Sequence, residues 1–253
     1  MEATSAPQRR LSVGDTINET FSIYGQQFLP LIGSAIVVFV VIGIIAGLLL
    51  AAGGVILVLL ATAVRLAGQA LYVGFVVKLV EDVRDGRRDL SISDLFSAAA
   101  PSIIPLILFG ILFGIAVAIG LILIIVPGLI LLTIWSVGAP AIVAERVGVF
   151  DAFGRSRNLV RGNGWTVFGT LVVVLLIVIA IGIVLGVIAT PIGNGAIVIA
   201  SIISSAITAP IFAIAVSVMF FDLGGGRVEQ TAAAPATTPA PPPSETPPPP
   251  PSA

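Results

Sequence analysis

The sequence predicts an all-α membrane protein: six transmembrane helices arranged as three hairpins, with an amphipathic interfacial helix before each odd-numbered span. Three observations lead to this prediction. Of the 253 residues, 57% are hydrophobic and only 10% are charged, whereas soluble domains carry about 25% charged residues. The apolar residues gather into runs near the ~20 residues that cross a bilayer, and the basic residues fall between alternate runs. This composition excludes an ordinary soluble enzyme.

Six apolar runs define the predicted spans. They are Leu29–Leu50, Val55–Val77, Ile103–Ile125, Leu129–Val143, Val167–Ala189 and Ala196–Phe221. The fourth run is short for a span unless it extends across Pro127 or Pro140, and the alternative is a five-span chain with a re-entrant fourth segment. The runs pair through uncharged turn sequences, which are Ala51–Gly54, Val126–Gly128 and Thr190–Gly195. Such short turns predict three tight hairpins.

The basic residues predict the orientation of the chain. Every Lys and Arg except Arg65 lies before the first span, between the hairpins or after the last span. Because basic loops stay in the cytoplasm, both termini are expected there. The first apolar run is too long for a signal peptide and is expected to remain as an anchor.

Amphipathic segments precede spans one, three and five. A Ser three residues before an Asp, at Ser12 and again at Ser91, predicts a helix N-cap in the first two segments. The apolar faces are Ile17, Phe21, Tyr24 and Phe28 in the first, where one buried stripe is expected, Ile92, Leu95, Phe96 and Ala99 in the second, and Val149, Phe150, Phe153 and Val160 in the third. These helices lie in the headgroup plane or, alternatively, pack against each other as a cytoplasmic cap. Three such units indicate an internally repeated bundle.

Each odd-numbered span also contains two glycines four residues apart. The pairs are Gly43 with Gly47, Gly110 with Gly114, and Gly182 with Gly186. Small residues at this spacing let helices approach closely. They favour packing within the chain over a homodimer contact, and they leave the oligomeric state open.

The composition divides the chain into three regions. Residues 1–28 form the cytoplasmic N-terminus with its amphipathic helix, residues 29–223 form the six-helix membrane domain, and residues 224–253 form a Pro-rich cytoplasmic tail. The tail has too few apolar residues to build a core and is predicted to be disordered. It is interpreted as a solvated spacer, with a docking site for a partner protein as the alternative.

The side-chain inventory leaves little chemistry available. The chain has no Cys and no His, which removes thiolate chemistry and the commonest general base and metal ligand. No carboxylate lies inside a predicted span, and no phosphate-binding loop is present. With a net charge of −1, the sequence predicts a non-enzyme with no cofactor, no metal and no nucleic-acid partner.

One charged residue, Arg65, lies inside a predicted span, with Gln69 one helical turn away. An arginine at the centre of a span costs roughly 2.5–3.5 kcal/mol to insert, so Arg65 is expected to face protein or water. Three interpretations follow: it ties helices together through backbone carbonyls, it binds an anion or lipid phosphate, or it snorkels to the interface. The polar neighbours expected on the last span are Ser201, Ser204, Ser205 and Thr208.

The segment from Pro140 to Trp165 carries a recognisable pattern. It reads Pro140-Ala141-Ile142-Val143-Ala144-Glu145, then Gly148, Asp151-Ala152-Phe153, Arg155-Ser156, Leu159, Gly162 and Trp165. It resembles the signature of a broad bacterial family of six-helix integral membrane proteins, which includes the membrane domain attached to some glycerophosphodiester phosphodiesterases. The resemblance covers about Leu11–Leu223 and implies the six-helix fold. No phosphodiesterase sequence accompanies it here, so the resemblance does not imply hydrolase activity.

The residues of this pattern have a structural interpretation and a functional one. The residues expected to act structurally are Pro140, Glu145, Ser156 and Trp165. Glu145 is expected to pair with Arg155 or Arg157 and to pin the following helix beneath the bundle, while Trp165 lies at headgroup level. The alternative is that Arg155, Arg157 and Arg161 recognise lipid headgroups.

Taken together, these features predict a non-catalytic bacterial integral membrane protein that organises membrane lipids or partner proteins. The alternative is a passive or lipid-translocating transporter with a pathway between the hairpins. A polar cavity lined by Arg65 would favour transport, whereas a closed apolar bundle would favour the first function. The sequence does not specify a substrate or a protein partner.

Overall fold

The structure, a computed structural model, describes residues 12–86 and 91–226, apart from the side chains of residues 194–198. Arg9, Arg10, Arg87, Arg88 and Arg227 lie outside the described residues, as does the Pro-rich tail from Thr231 onward. The predicted positions of these residues and the predicted disorder of the tail stay predictions.

Ten α-helices build the described part of the chain, and no strand occurs in it. They are α1 (Val13–Gln26), α2 (Phe28–Ala52), α3 (Val55–Arg84), α4 (Ile92–Ala99), α5 (Ile103–Leu123), α6 (Ile125–Trp135), α7 (Gly138–Glu145), α8 (Val149–Val160), α9 (Gly164–Ala189) and α10 (Asn194–Asp222). Six helical segments are long and apolar enough to cross a membrane. The predicted fold class is therefore confirmed.

The three hairpins are confirmed, although one turn lies elsewhere than predicted. Gly53 and Gly54 turn the first hairpin with φ of +75° and +92°, which a residue with a Cβ rarely adopts. The second hairpin turns at the extended residue Ile124, and Pro127 belongs to the first turn of α6, where a missing N–H costs nothing. The third turn ends at Gly193, where φ is +118°.

The fourth span consists of two helices with a break between them. Together α6 and α7 cover 21 residues, Ile125–Glu145, or about 31 Å of helix at 1.5 Å per residue, which matches the ~30 Å hydrocarbon core. The span thus extends across both Pro127 and Pro140. The six-span prediction is confirmed rather than the five-span alternative.

The short helices α1, α4 and α8 pack chiefly on hairpins that are not their own. Helix α1 contacts α9 and α10 of the third hairpin, α4 contacts α3 of the first, and α8 contacts α5, α6 and α7 of the second. Helices α4 and α8 therefore rest on the hairpin that precedes them and α1 rests on the last hairpin, so the three units interlock in a ring. The short helices form a cap by packing on the spans rather than chiefly on each other.

The predicted buried stripe of α1 is wrong. The buried side chains are Thr16, Thr20 and Ile23, whereas Phe21 and Phe28 are exposed. The hydroxyls of Thr16 and Thr20 donate to the carbonyl oxygens four residues earlier. Because their polarity is satisfied within the helix, both threonines pack against the bundle as small side chains. Ile17 and Tyr24 remain half-buried.

The predicted apolar faces of the other two short helices are only partly correct. In α8 the buried side chains are Ala152, Ser156, Leu159 and Val160. Phe150 is 80% exposed, contrary to its predicted place on the apolar face. In α4, Leu95 and Ala99 are buried as predicted, but Ile92 is exposed. Phe96 and Phe153 pack against core aromatic rings, so only Ile92 and Phe150 of the predicted faces are exposed.

The N-caps are confirmed at both predicted serines. The Ser12 side chain accepts from the Asp15 amide. The hydroxyl oxygen of Ser91 accepts from the Asp94 amide at 3.2 Å, while the Asp94 carboxylate accepts from the Ser91 amide at 3.1 Å. These reciprocal bonds fix the start of α4.

The core lies toward one end of the bundle. We call the end that carries the α3–α4 and α7–α8 connections the basic end, and the end with the three hairpin turns the turn end. Near the basic end, α3 buries Tyr72 and Phe75, and α10 buries every residue from 213 to 220. Nearer the turn end, Leu48, Ile122 and Val187 are 68%, 83% and 68% exposed. The hairpins therefore pack tightly near the basic end only.

The predicted glycine pairs are not where helices approach most closely. A Cβ added at any of five of them would meet open space; these are Gly43, Gly47, Gly110, Gly114 and Gly186. The tight approaches occur instead at Gly68 against Ile42 of α2 and at Gly120 against Gly128 across the second hairpin. The glycine spacing in this glycine-rich chain therefore did not identify the packed faces.

Candidate functional site

Arg84 joins three segments of the chain at the basic end. From the end of α3, its Nε and Nη2 donate to Glu19 Oε1 of α1 at 2.9 and 2.6 Å, and Nη2 also donates to Asp222 Oδ1 of α10 at 2.7 Å. Its guanidinium carbon lies 5.6 Å from the centre of the Phe221 ring, within the range of a cation–π contact. One arginine therefore fastens α1 to the first and third hairpins.

A second ion pair fastens α8 beneath the fourth span. Arg155 Nε and Nη2 donate to the two carboxylate oxygens of Glu145 at 2.7 and 2.6 Å, and the Gly226 amide donates to Oε1 at 2.9 Å. The Glu145 side chain is only 5% exposed. The hydrogen bond to Glu145 raises the pKa of Arg155 above its ordinary value, so Arg155 stays charged. The predicted pair is confirmed, with Arg155 and not Arg157 as the partner.

Pro140 favours the break in the fourth span, and Ser156 stabilises it. Pro140 has no N–H to donate to the carbonyl of Ser136, which favours a break at this point. There the Ser156 hydroxyl of α8 donates to the Ile134 carbonyl oxygen at 2.9 Å, and Ser156 is fully buried. An unpaired carbonyl in hydrocarbon is costly. Helix α8 thus stabilises the break, and the predicted motif residues Pro140, Glu145 and Ser156 form one structural unit.

An apolar cavity of about 420 Å³ lies between α3, α5, the fourth span, α9 and α10. Of its lining side chains, those with a polar atom are Gln69, Trp135, Ser136 and Ser217. The two serine hydroxyls already donate to carbonyl oxygens of their own segments. Ligand sites commonly have volumes of about 300–1,000 Å³. The cavity therefore has the size and the lining of a site for an apolar chain.

The cavity is closed at the basic end and opens toward the turn end. Val77, Leu106 and Val216, near the basic end, are buried, whereas Leu175 and Phe212 are 51% and 47% exposed. At 1.5 Å per residue, these two residues lie roughly 15–17 Å from the basic ends of α9 and α10. That distance is about half the thickness of the hydrocarbon core. The opening therefore lies about half a hydrocarbon thickness from the basic end of the bundle.

Gln69 lines the cavity on this side, and Arg65 lies one helical turn further toward the turn end. Both side chains are exposed, and neither forms a hydrogen bond or ion pair with any residue that the structure describes. Arg65 therefore makes none of the expected carbonyl bonds within residues 12–86 and 91–226. The hydroxyls expected beside it donate within α10 instead, as at Ser205 and Thr208.

The remaining candidate arginines differ from Arg155 in their surroundings. Arg157 and Arg161 are exposed on α8 and in the loop after it, and their side chains form no ion pair within residues 12–86 and 91–226. Trp165 is 88% exposed, and its ring makes an edge contact with Phe168. Among the predicted lipid contacts at the basic end, Arg157 and Arg161 are thus available to a headgroup, while Arg155 is held by Glu145.

Sequence reasoning missed both the Arg84 cluster and the cavity. A signal for the cluster exists: Asp222 directly follows the last span and Arg84 ends the helix of the second, so topology places opposite charges on one side. No comparable signal exists for the cavity, because six helical segments contribute to its walls.

Comparison with known proteins assigns the chain to a family. Its residues 55–216, more than half of its length, match the model of the uncharacterised protein family UPF0259. Over 102 residues it is 29% identical to a UPF0259 membrane protein of Pectobacterium carotovorum, and this match covers 40% of each chain. No solved structure matches the chain. The chain therefore belongs to the uncharacterised protein family UPF0259, a family of bacterial membrane proteins.

Proposed function

We propose that this protein is a non-catalytic membrane protein that organises membrane lipid by holding an acyl chain between its three hairpins. The apolar cavity of about 420 Å³ carries the proposal. An unfilled apolar cavity forfeits dispersion contacts along all its walls. Because its opening lies at the depth of the hydrocarbon core, the surrounding lipid tails are the chains that restore these contacts.

The charged groups support a non-catalytic role. The acidic residues nearest the bundle are engaged in ion pairs: Glu19 and Asp222 with Arg84, and Glu145 with Arg155. A general acid or base must reach the proton that it transfers, and these carboxylates are occupied in joining helices. Their geometry therefore suits the assembly of the fold.

Lipid translocation is the second candidate function. The mid-span position of Arg65 and Gln69 favours it, because a headgroup that crosses the bilayer needs polar groups on its way. The apolar lining of the cavity does not favour passage of a polar solute. Faster exchange of a headgroup-labelled phospholipid between the leaflets of reconstituted vesicles, compared with protein-free vesicles, would support translocation.

Filling the cavity with a larger side chain should exclude the acyl chain of the lipid. Gly110 lines the cavity, and a Cβ built there meets nothing within 4 Å, so the first added carbon of Gly110→Leu fits and its side chain occupies the space at the cavity wall. Trp135 also lines the cavity, and the other tryptophan, Trp165, is replaced by Phe in the test protein. In lipid nanodiscs, acyl chains brominated at one carbon are expected to quench Trp135 at least about twofold less in the Gly110→Leu variant.

Gly114→Leu is the matched control. Gly114 lies one turn further along α5, also borders open space and does not line the cavity. It should leave the quenching of Trp135 unchanged. Equal quenching in all three proteins, with equal melting temperatures, would reject the proposed function.

We also propose that the basic end faces the cytoplasm of a bacterial inner membrane. Lys78, Arg84, Arg146 and Arg157 all lie at that end of the described structure, and cytoplasmic loops are enriched in such residues. We propose, because both are exposed at the basic end, that Arg157 and Arg161 contact lipid headgroups. The resemblance to phosphodiesterase membrane domains stays a prediction.

Cysteine labelling tests the orientation, because the chain has no cysteine of its own. Single cysteines at Ala52, Pro127 or Ile192, all exposed at the turn end, should react with a membrane-impermeant maleimide on intact cells. Cysteines at Ser91 or Arg157, exposed at the basic end, should react only after the membrane is permeabilised. Labelling of Ser91→Cys on intact cells would contradict the orientation.

A further inference from the structure

Arg65 lacks a counter-charge although it lies deep in the membrane domain. It is the one basic residue within the apolar runs of the sequence, and its side chain has no ion-pair or hydrogen-bond partner among the described residues. The last residue of the first turn, Gly54, is eleven residues away, or about 16 Å along the helix. That distance exceeds the reach of an arginine side chain, so Arg65 does not extend to the residues of the first turn. An arginine at this depth calls for an anionic partner.

The cavity lies beside this cation. Gln69, one turn from Arg65, lines the cavity, and residues four apart on a helix project from the same face. The amide of Gln69 likewise has no partner among residues 12–86 and 91–226. Gln69 therefore stands in the wall of the cavity and Arg65 one turn beyond it, and neither donor has a partner among the described residues. A cation and an amide bind an acidic head, whereas the cavity accepts only an apolar tail.

We propose that Arg65, Gln69 and the cavity form one binding site for an anionic amphiphile, that is, an acyl chain with a phosphate or carboxylate head. The inference rests on the proposed function, since it takes the cavity to hold the tail. The head accepts hydrogen bonds from the Arg65 guanidinium and the Gln69 amide, which are strong because they are charge-assisted. The tail runs from there toward the basic end and reaches Trp135. The site thus selects among lipids by charge, which an apolar cavity alone does not do.

Two probes of equal chain length test the selection. Hexadecyl phosphate and hexadecanol compete with a brominated fatty acid for the cavity of the Trp165→Phe protein in a neutral detergent, and relief of Trp135 quenching measures each affinity. Because hydrogen bonds to charged groups contribute about 1.5–3 kcal/mol, hexadecyl phosphate should bind about tenfold more tightly or better. Arg65→Leu should remove this preference while hexadecanol still binds. Arg65→Lys should keep part of it, because the charge remains but the bidentate geometry is lost.

The control is Arg146→Gln, which removes the charge of an exposed arginine at the basic end, outside the site, and should leave the preference intact. If Arg65→Leu retains the preference, the inference is overturned while the proposed function stands. If Gly110→Leu binds both probes like the parent protein, the proposed function fails as well. Mass spectrometry of the material co-purified from membranes then distinguishes a phospholipid from a free fatty acid. If Arg65→Leu retains as much anionic lipid as the parent protein, the inference is again overturned.

Discussion

Replacing Glu145 with alanine is expected to lower the free energy of unfolding by about 3 kcal/mol. The change leaves Arg155 without its carboxylate partner and removes the acceptor of the Gly226 amide. Removal of one partner is costly where the pair is buried, and the Glu145 side chain is 5% exposed. The measurement is reversible unfolding in mixed micelles, with the melting temperature as a second readout.

The Lys78–Glu81 pair provides the comparison. These residues lie three apart on α3 and form a local ion pair of 2.8 Å. Pairs three residues apart on one helix contribute about 0.2–0.5 kcal/mol, and the Glu81 side chain is 24% exposed, so Glu81→Ala should be nearly silent. If Glu81→Ala and Glu145→Ala cost the same, the pair with Arg155 does not hold α8 against the fourth span.

A similarly large loss is expected from Gly128→Ala. A Cβ at this position would lie 2.5 Å from Leu121 Cγ and 2.6 Å from the Leu121 backbone nitrogen. Because a backbone atom blocks the added carbon, α5 and α6 must move apart, and such overpacking costs up to about 3 kcal/mol. Unfolding in mixed micelles should show this loss together with a lower melting temperature.

Gly114→Ala is the matched substitution in the same hairpin. A Cβ there meets open space, and alanine favours a helix over glycine by about 1 kcal/mol. The variant should be as stable as the parent or slightly more stable. Equal destabilisation by both substitutions would contradict the close contact at Gly128.

The spans were predictable because hydrophobicity over some 20 residues depends on composition alone. The first hairpin turn was predictable from Gly53 and Gly54 for the same local reason. The second turn was not: Val126-Pro127-Gly128 has a turn composition, yet a proline fits the first turn of a helix equally well. Helix α6 therefore begins at Ile125, and the chain turns at Ile124.

The buried face of α1 was mispredicted because hydrophobicity is a poor guide where hydroxyls bond within the helix. Thr16 and Thr20 appear polar in the sequence, but their hydroxyls donate to preceding carbonyls and leave a small methyl-bearing surface. Phe21 and Phe150, which appear to be core residues, are exposed. Aromatic side chains on such outer faces suit the headgroup region, where they are enriched.

The candidate site was predictable only in part. Arg65 and Gln69 stood out because a charge within a span is rare, and Glu145 with Arg155 stood out because they are ten residues apart in a recognisable pattern. The bonds from Arg84 to Glu19 and Asp222 join residues 65 and 138 positions apart, and only the packing of the hairpins brings these together. The cavity depends on that packing throughout.

The ring of short helices also sets the order in which the protein can be completed during synthesis. Helix α1 leaves the ribosome first, yet its resting surface on α9 and α10 is made last: the Tyr24 hydroxyl lies 3.5 Å from the carbonyl oxygen of Ile207, 183 residues later. At ~5–20 residues per second, α1 waits roughly 10–40 s for that surface. Throughout this interval the hairpin on which Thr16 and Thr20 pack has not been made. Glu19 can pair only with Arg84, which still lacks Asp222. The last hairpin therefore closes the ring, and a nascent chain released before α10 keeps its first helix undocked.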